Sequence, residues 1–291
     1  MSHYNHQLPQ PKVRGGMQNT PLLISNIIEH AALYHPDQQI ISKLIEVSSD
    51  RYHYSNYKSA CINARKLAQI LQQKFNVQAG DVIGTLSFNH VYHFEAIYGV
   101  SGIGAILHTI NPRLFDHQLE YIINHGNDRI IMVDHACTTI LAQLYKSGKK
   151  FDCVQDIIIM TPEKYYSNCE QQLKSVTNVR IHSYEQLIQP MPSQFTWPIF
   201  HEDTCSSLCY TSGTTGNPKG VSFSHRSTVL HSLSCSQRDV LDIYSACNIL
   251  VVVPMFHANA WGISYTAPMV GSRMLLPGMS DFVFGCIRCT R

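Results

Sequence analysis

With 291 residues, of which 44% are hydrophobic, the chain is long enough for one large domain or two moderate ones with well-buried cores. Its formal charge of +2 and its scattered 22 Lys and Arg residues argue against a nucleic-acid partner. Ten spread cysteines, a polar N-terminus and no apolar run of membrane-spanning length predict a cytoplasmic protein with free thiols and no transmembrane segment.

The N-terminal part begins with a predicted flexible tail over residues 1–18, which are rich in His, Gln, Pro and Gly. An apolar-periodic segment follows, and it predicts a helix that Thr20 caps and that has Pro21 at its first position. Two short strands within residues 39–54 predict a hairpin. Ser55 is then expected to cap a long amphipathic helix.

Beyond residue 80 the pattern alternates between buried strands and amphipathic helices. Strands are predicted at 82–88, 105–110, 129–133 and 154–160, with helices between them. This alternation predicts an α/β fold with a mostly parallel sheet that carries helices on its faces. After a linker-like segment, further strands are predicted at 204–210, 219–224, 249–253 and 273–276, and a helix at 225–237.

These patterns divide the chain into four predicted parts. The tail of residues 1–18 precedes a first α/β subdomain over 19–193, which ends in the Pro-rich linker. A partial second α/β subdomain spans 194–278 and carries the candidate phosphate-binding loop. Residues 279–291 are expected to be an aberrant C-terminal tail.

The stretch YTSGTTGNPKGV, residues 210–221, is the most informative motif. Its glycines permit positive φ angles and expose backbone N–H groups, its hydroxyls add donors, and Lys219 adds a mobile positive charge. Together these groups suit the oxygens of a polyphosphate. A Gly/Thr-rich hairpin turn is the alternative. The phosphate loop of NTPases is disfavoured, because Gly220 stands where its hydroxyl residue would be and a strand-like segment follows at once.

The same stretch, followed by SHRS at 224–227, resembles the signature of the adenylate-forming (AMP-binding) superfamily. RYHYS at 51–55 and VPMFH at 253–257 stand in the family's order. GAILHTINPRL at 104–114, NAWG at 259–262 and APMVG at 267–271 look most like medium- and long-chain fatty-acid CoA ligases. The resemblance implies an acyl-CoA synthetase-like N-terminal large domain of stacked α/β subdomains. That domain is expected to be incomplete, with the small C-terminal domain absent.

The resemblance also implies a function: ATP-dependent activation of a fatty-acid carboxylate to an acyl-adenylate and then to acyl-CoA, with Mg²⁺ and coenzyme A. His257 would act near the α-phosphate and the carboxylate, although a capping or core histidine is the alternative. The residues that would hold the β- and γ-phosphates are Thr211, Ser212, Gly213, Thr214, Thr215, Gly216 and Lys219. Phe256, Trp261 and Gly262 would bind the acyl substrate, although a lone Trp in this position is also typical of a core residue.

The sequence departs from the family pattern after Gly278. The family's Gly-Tyr-Gly-x-Thr-Glu and Thr-Gly-Asp segments, with their magnesium- and ribose-binding carboxylates, do not occur in it. The chain is therefore expected to be a truncated form with negligible ligase activity, because each lost charge-stabilising group costs on the order of 100-fold in rate. A frameshift or premature stop is the hypothesis for the tail. A non-catalytic remnant that binds nucleotide or a partner stays open, no residue is assigned to a metal, and the oligomeric state is undetermined.

Overall fold

A computed structural model describes residues 15–17, 19–45, 52–211 and 216–279. The strands are β1 Gln39–Ser42, β2 His53–Asn56, β3 Val82–Leu86, β4 Ile106–Ile110, β5 Asp128–Asp134, β6 Asp156–Met160, β7 Arg180–Ser183, β8 Cys205–Thr211, β9 Lys219–Ser224, β10 Asn248–Leu250 and β11 Arg273–Leu276. The helices are α1 Ile24–Tyr34, α2 Tyr57–Gln73, α3 Val91–Ser101, α4 Asp116–Gly126, α5 Thr138–Lys146, α6 Glu163–Lys174, α7 Tyr184–Ile188, α8 His225–Cys235, α9 Ala258–Trp261 and α10 Ile263–Val270.

The large sheet has the strand order β7-β6-β5-β3-β4-β8-β9. All neighbours in it are parallel except β8 and β9, which are antiparallel. In β5, Ile130 and Met132 join one hydrophobic cluster while Ile131 and Val133 join the other. Side chains alternate between the two faces of a strand, so both faces of this sheet are buried under helices. The predicted parallel α/β sheet is confirmed.

The small sheet has the order β10-β11-β1-β2, with β1 parallel to β11 and antiparallel to β2. The predicted hairpin is thus confirmed, but β1 also pairs with a strand more than 200 residues later. Conversely, β8 and β9 join the large sheet. Each sheet therefore takes strands from both sides of Ser193, so the predicted boundary there does not separate the two sheets. As a division into folding units it stays a prediction.

The predicted cap of the first helix is wrong. Helix α1 begins at Ile24, three residues after Pro21, and its N-cap residue makes no side-chain capping bond. Distant side chains bond the N–H groups at its start instead: Leu22, two residues before the helix, donates to Glu202 Oε2 (2.8 Å), and Ile24, its first residue, donates to His225 Nδ1 (3.1 Å). Local sequence patterns cannot predict such partners, because the partners come from another part of the chain.

Two smaller differences concern element ends. The cap of α2 is Asn56, whose side chain accepts a hydrogen bond from Ser59 N–H (2.8 Å), whereas Ser55 lies in β2. The strand predicted at 249–253 ends at Leu250. Most of the two predicted tails lies outside the described residues. Within the described ranges no helix has both the length and the apolar character to cross a bilayer, and all eight described cysteines are free.

Candidate functional site

The glycine-threonine motif lies between two antiparallel strands at the edge of the large sheet. Thr211, the last residue of β8, pairs with Lys219, the first residue of β9. The predicted loop between two strands is confirmed, and the geometry is not that of an NTPase phosphate loop, which starts a helix. Ser212, Gly213, Thr214 and Thr215 lie outside the described residues. Gly216 is exposed and has a φ of 89°.

The Lys219 side chain is exposed. Among the described residues no carboxylate lies within ion-pair distance of its ammonium group. Lys219 stands at the start of β9, which runs antiparallel to β8, and its charge therefore lies at the edge of the sheet where β8 ends. This arrangement leaves the charge available to an anionic ligand.

The carboxyl ends of the central strands form the edge at which this charge lies. Strands β3, β4, β5 and β8 are mutually parallel, so their carboxyl ends lie at one edge of the sheet. The chain order reverses about β3, since β4 lies on one side of it and β5 on the other. Ligands of open α/β sheets bind outside the carboxyl ends of the strands at such a reversal.

The segment after β3 is fixed at this edge by a buried carboxylate, Asp134, at the end of β5. Asp134 accepts hydrogen bonds from the N–H groups of Phe88 (2.7 Å) and Cys137 (2.8 Å), and His90 Nε2 lies 3.4 Å away. Burial by itself would raise the pKa of Asp134, but these hydrogen bonds and the His90 ring outweigh burial and hold the pKa below its usual range. These contacts with Asp134 therefore hold the segment after β3 in place.

The segment that carries His257 is bound to the end of β3. Met255 N–H donates to the side-chain oxygen of Asn89 (2.6 Å), and the Phe256 ring lies 5.9 Å from the Phe88 ring. His257 is exposed and follows directly. The structure thus places the His257 segment and Lys219 at the same edge of the large sheet.

Phe256 is buried, with 5% of its surface exposed, and packs in the core between β3 and the helices of one face. The Arg113 guanidinium carbon lies 5.9 Å from the Phe88 ring centroid and 6.0 Å from that of Phe256. Phe256 therefore contacts the core and a cation. It does not line the cavity that contains the other two residues assigned to the substrate.

Those two residues lie in and after α9, a single turn of unusual handedness. Ala258, Asn259, Ala260 and Trp261 have φ angles between 45° and 56°, and Gly262 follows with 75°. Left-handed backbone costs roughly 1–2 kcal/mol per residue for L-amino acids. Such strain persists only where surrounding contacts determine the conformation, and it is concentrated at ligand sites.

A cavity of about 420 Å³ opens beside this turn. It lies between α8, α10 and the turn, within the size range of small-molecule pockets. Its lining residues are Phe223, Ser227, Thr228, His231, Ala258, Asn259, Trp261, Gly262 and Tyr265. Trp261 is 52% exposed, so it is not a core residue. His231 Nε2 lies 3.1 Å from the Trp261 carbonyl oxygen.

The first residue of the motif, Tyr210, packs beside a buried pair. His108 Nδ1 lies 2.8 Å from the Asp128 carboxylate, and both side chains are fully buried. They meet across β3 because Gly84 leaves room: a Cβ there would lie 3.1 Å from Asp128. Burial raises the pKa of Asp128, and the adjacent His108 opposes this only in part. The Tyr210 ring lies 5.0 Å from His108, and its hydroxyl lies 2.6 Å from His125 Nδ1.

The family model described as AMP-binding enzyme matches residues 28–288. The chain belongs to the AMP-binding enzyme family. The predicted resemblance is confirmed, and the match continues past Gly278 into the segment predicted as an aberrant tail.

Relatives of this chain include CoA ligases. It is 43% identical to a 3-methylmercaptopropionyl-CoA ligase of Ruegeria lacuscaerulensis and 42% identical to a medium-chain-fatty-acid–CoA ligase of Ectopseudomonas oleovorans, covering 91% of this chain and 46% of each relative. A long-chain-fatty-acid–CoA ligase of Thermus thermophilus is 34% identical over 90% of this chain and 44% of its own length. The chain thus spans about half the length of the curated relatives it matches.

Solved structures confirm the predicted fold class. A long-chain-fatty-acid-CoA ligase from Archaeoglobus fulgidus superposes with a TM-score of 0.73 at 21% identity, covering 94% of this chain and 51% of that one. An anthranilate CoA ligase in complex with anthranoyl-AMP gives a TM-score of 0.71 at 19% identity, covering 88% and 45%. At these identities the likeness shows the fold: the α/β architecture of acyl-CoA synthetase N-terminal domains.

Three residues that build the site were given no role by the sequence analysis. Asn89 binds the His257 segment, Asn259 binds that segment to β8, and Arg113 covers the two aromatic rings at the sheet edge. One signal was available for Asn89, since a polar residue directly after a buried parallel strand marks the edge where ligands bind.

Proposed function

We propose that this AMP-binding enzyme activates an aliphatic carboxylic acid in two steps. A carboxylate oxygen attacks the α-phosphorus of ATP, the bond to the bridging oxygen breaks, and pyrophosphate leaves. The thiolate of coenzyme A then attacks the acyl carbon of the acyl-adenylate, and AMP leaves with the bonding electrons. Neither step needs a protein nucleophile, so the chain contributes positioning and charge neutralisation.

One observation carries this proposal. The Lys219 ammonium group, which has no carboxylate partner among the described residues, stands at the carboxyl edge of the sheet through the Thr211–Lys219 pair, and the His257 segment lies at that same edge. Lys219, with Thr211 and Gly216, would bind the β- and γ-phosphates of ATP, and the loop residues 212–215 complete the proposed set. His257 would lie by the α-phosphate and the carboxylate.

The acyl tail would occupy the cavity beside the left-handed turn. Phe223 and Tyr265 give this cavity an apolar lining, and Trp261 and Gly262 form its wall next to His257. The relatives named for medium-chain and long-chain fatty acids support an aliphatic acid as the substrate. The proposed role of Phe256 is indirect, because it packs against Phe88 beneath this segment.

Magnesium ions accompany ATP in such reactions, bound largely by the phosphates. Among the described residues there is no group of three or more His, Cys, Asp or Glu side chains placed to hold a metal ion. We therefore assign no protein ligand to Mg²⁺ and derive no step through it.

Lys219→Ala tests the proposed site. A hydrogen bond to a charged group contributes about 1.5–3 kcal/mol, so the variant should bind ATP roughly 10- to 100-fold more weakly by titration calorimetry. Lys146→Ala, which removes an exposed lysine from α5, is the matched control and should bind like the wild type. Equal ATP affinity in Lys219→Ala and the wild type, or no ATP binding by the wild type, would refute the proposal.

A non-catalytic chain that only binds nucleotide or a partner is the second candidate. The chain spans about half the length of the CoA ligases it matches, so similarity alone does not carry their activity over to it. ATP–pyrophosphate exchange with octanoate separates the two candidates: exchange above background requires the adenylation step, whereas ATP binding without exchange supports the non-catalytic chain.

A further inference from the structure

Two buried asparagines hold the segment that carries His257. Asn89 follows β3 and is 3% exposed, while Asn259 lies in α9 and is 4% exposed. One contacts the segment before His257 and the other lies two residues after it. Buried amides are costly unless their hydrogen bonds are satisfied, and these two are satisfied by bonds to or from this segment.

The Asn89 amide uses its oxygen and its nitrogen on three backbone groups of one stretch. Its nitrogen donates to the carbonyl oxygens of Val251 (2.8 Å) and Val253 (2.8 Å), and its oxygen accepts from Met255 N–H (2.6 Å). The backbone carbonyl oxygen of Asn89 accepts a hydrogen bond from Gly278 N–H (2.9 Å). The stretches that leave β10 and β11 are thereby tied to the end of β3 through one residue.

Asn259 ties the other side of the segment to the middle of β8. Its nitrogen donates to Ser207 Oγ (2.9 Å), and Ser207 pairs with Leu107 of β4 inside the large sheet. Asn259 has a φ of 51°, and asparagine tolerates left-handed backbone better than most residues. The side chain therefore fits the strained turn and anchors it.

His257 itself lacks such an anchor. Its backbone N–H donates to the Pro254 carbonyl oxygen (2.9 Å), whereas its imidazole is exposed and makes no hydrogen bond to another residue in the described ranges. The position of this imidazole is consequently set by the backbone on either side. Only the contacts of that backbone can hold it within the tolerance that a reacting centre requires.

We infer that Asn89 and Asn259 are positioning residues that fix His257 over the carboxyl edge of the large sheet. The role given to His257 rests on the proposed function. The statement that the two asparagines hold the segment does not. A displacement of about 1 Å can cost on the order of 100-fold at a reacting centre. Loss of either amide should therefore weaken recognition of the acyl-adenylate more than recognition of the phosphates.

The test compares Asn89→Ala, Asn259→Gly and the matched control Asn63→Ala. Glycine at position 259 keeps the left-handed backbone without strain, so that only the amide is lost. Asn63→Ala removes a comparable side-chain bond, to Glu95 (2.8 Å), in α2. The probes are ATP and the octanoyl sulfamate ester of adenosine, which mimics the acyl-adenylate. Amide hydrogen exchange of residues 252–258 is measured in the same proteins.

We expect Asn89→Ala and Asn259→Gly to bind the analogue about 10- to 100-fold more weakly. The ATP affinity of these variants, and the affinity of Asn63→Ala for both probes, should change less than about threefold. Adding His257→Ala to Asn89→Ala should cost little more, since residues that act through one another are not additive. Exchange of the 252–258 amides should be faster in both variants.

Wild-type affinity for the analogue in both variants, or equal losses of analogue and ATP, would overturn the inference. If the wild-type chain fails to bind ATP and the analogue, the proposed function fails, and hydrogen exchange alone decides. Faster exchange in the variants then supports the holding of the segment, and unchanged exchange refutes it.

Discussion

At the scale of single residues, the turn beside the cavity depends on Gly262. Its φ of 75° disfavours any side chain, and a Cβ built there would lie 2.5 Å from Cδ2 of His231. His231 in turn contacts the Trp261 carbonyl oxygen and Cys235 Sγ (3.3 Å). The sequence motif assigns Gly262 to substrate binding, and the structure adds a reason that needs no substrate: the glycine makes room for the ring behind it.

Gly262→Ala should therefore destabilise the fold beyond the cost of the φ angle alone. Gly148→Ala is the matched control, because Gly148 has a φ of 83° with no atom within 4 Å of a built Cβ. The control measures the left-handed cost, roughly 1–2 kcal/mol. Gly262→Ala adds the displacement of His231, a further 1–3 kcal/mol by the usual cost of overpacking. If Gly262→Ala and Gly148→Ala lose the same free energy of unfolding in urea, His231 moves aside at no cost and the prediction is wrong.

The residues of the site differ in how far the sequence can predict them. Lys219, His257 and Trp261 are recognisable because each stands at a fixed place in a short motif. Asn89 is marked only by its place after the predicted strand 82–88, and its role cannot be predicted, since its partners at 251–255 follow more than 160 residues later. For Phe256 the motif predicts a substrate contact, which stays a prediction, whereas the folded chain adds a core environment that the motif does not indicate.

At the scale of secondary-structure elements, hydrophobic periodicity predicts that a strand or helix exists better than it predicts which other elements contact it. The alternation of apolar strands and amphipathic helices suffices for the parallel sheet because it is a local property. The capping of α1 is a tertiary property, with Glu202 and His225 reaching its first turn from the far end of the chain. Helix α1 thus depends for its start on α8, which carries His225 at its first position.

This anchor predicts a pH dependence. His225 is fully buried, and burial lowers its pKa to about 4 from 6.5. The unfolded chain therefore binds more protons than the native chain between about pH 4 and pH 6.5. The stability that His225 contributes is complete above about pH 6.5 and is lost as the pH falls toward 4, by up to about 1.4 kcal/mol per pH unit.

The variant His225→Gln isolates this contribution. Other buried groups titrate too: burial lowers the pKa of His93 to about 4 and raises that of Glu95 to about 8. The difference between the wild type and His225→Gln cancels their effects. The free energy of unfolding, measured from pH 7 to pH 4, should fall less steeply in the variant. Parallel curves would contradict a neutral, buried His225.

At the scale of the whole molecule, the chain folds back across its own predicted boundary. Strand β1 pairs with β11 and β4 pairs with β8, so that both sheets are built from segments on either side of residue 193. The sequence cannot reveal this, because a composition change marks a flexible linker without indicating where the chain goes next. Parallel pairing of distant strands leaves no trace in local periodicity.

The interleaved topology makes a final prediction about fragments. A chain of residues 1–193 keeps β3 to β7 but leaves the edges of β4 and β1 unpaired, and unpaired strand edges promote association between chains. It also removes Glu202 and His225, the partners of the first turn of α1. We expect this fragment to lack a cooperative thermal transition and to aggregate. Residues 194–291 made alone should behave likewise, since β10 and β11 lose β1.

Co-expression supplies the control, because the two fragments together contain every pairing. We expect them to co-purify as a soluble complex whose circular dichroism matches that of the intact 291 residues, at lower thermal stability because association costs translational entropy. A soluble 1–193 fragment that unfolds cooperatively on its own would show instead that the predicted boundary does separate two folding units, with the strand pairs across it adding stability without being required.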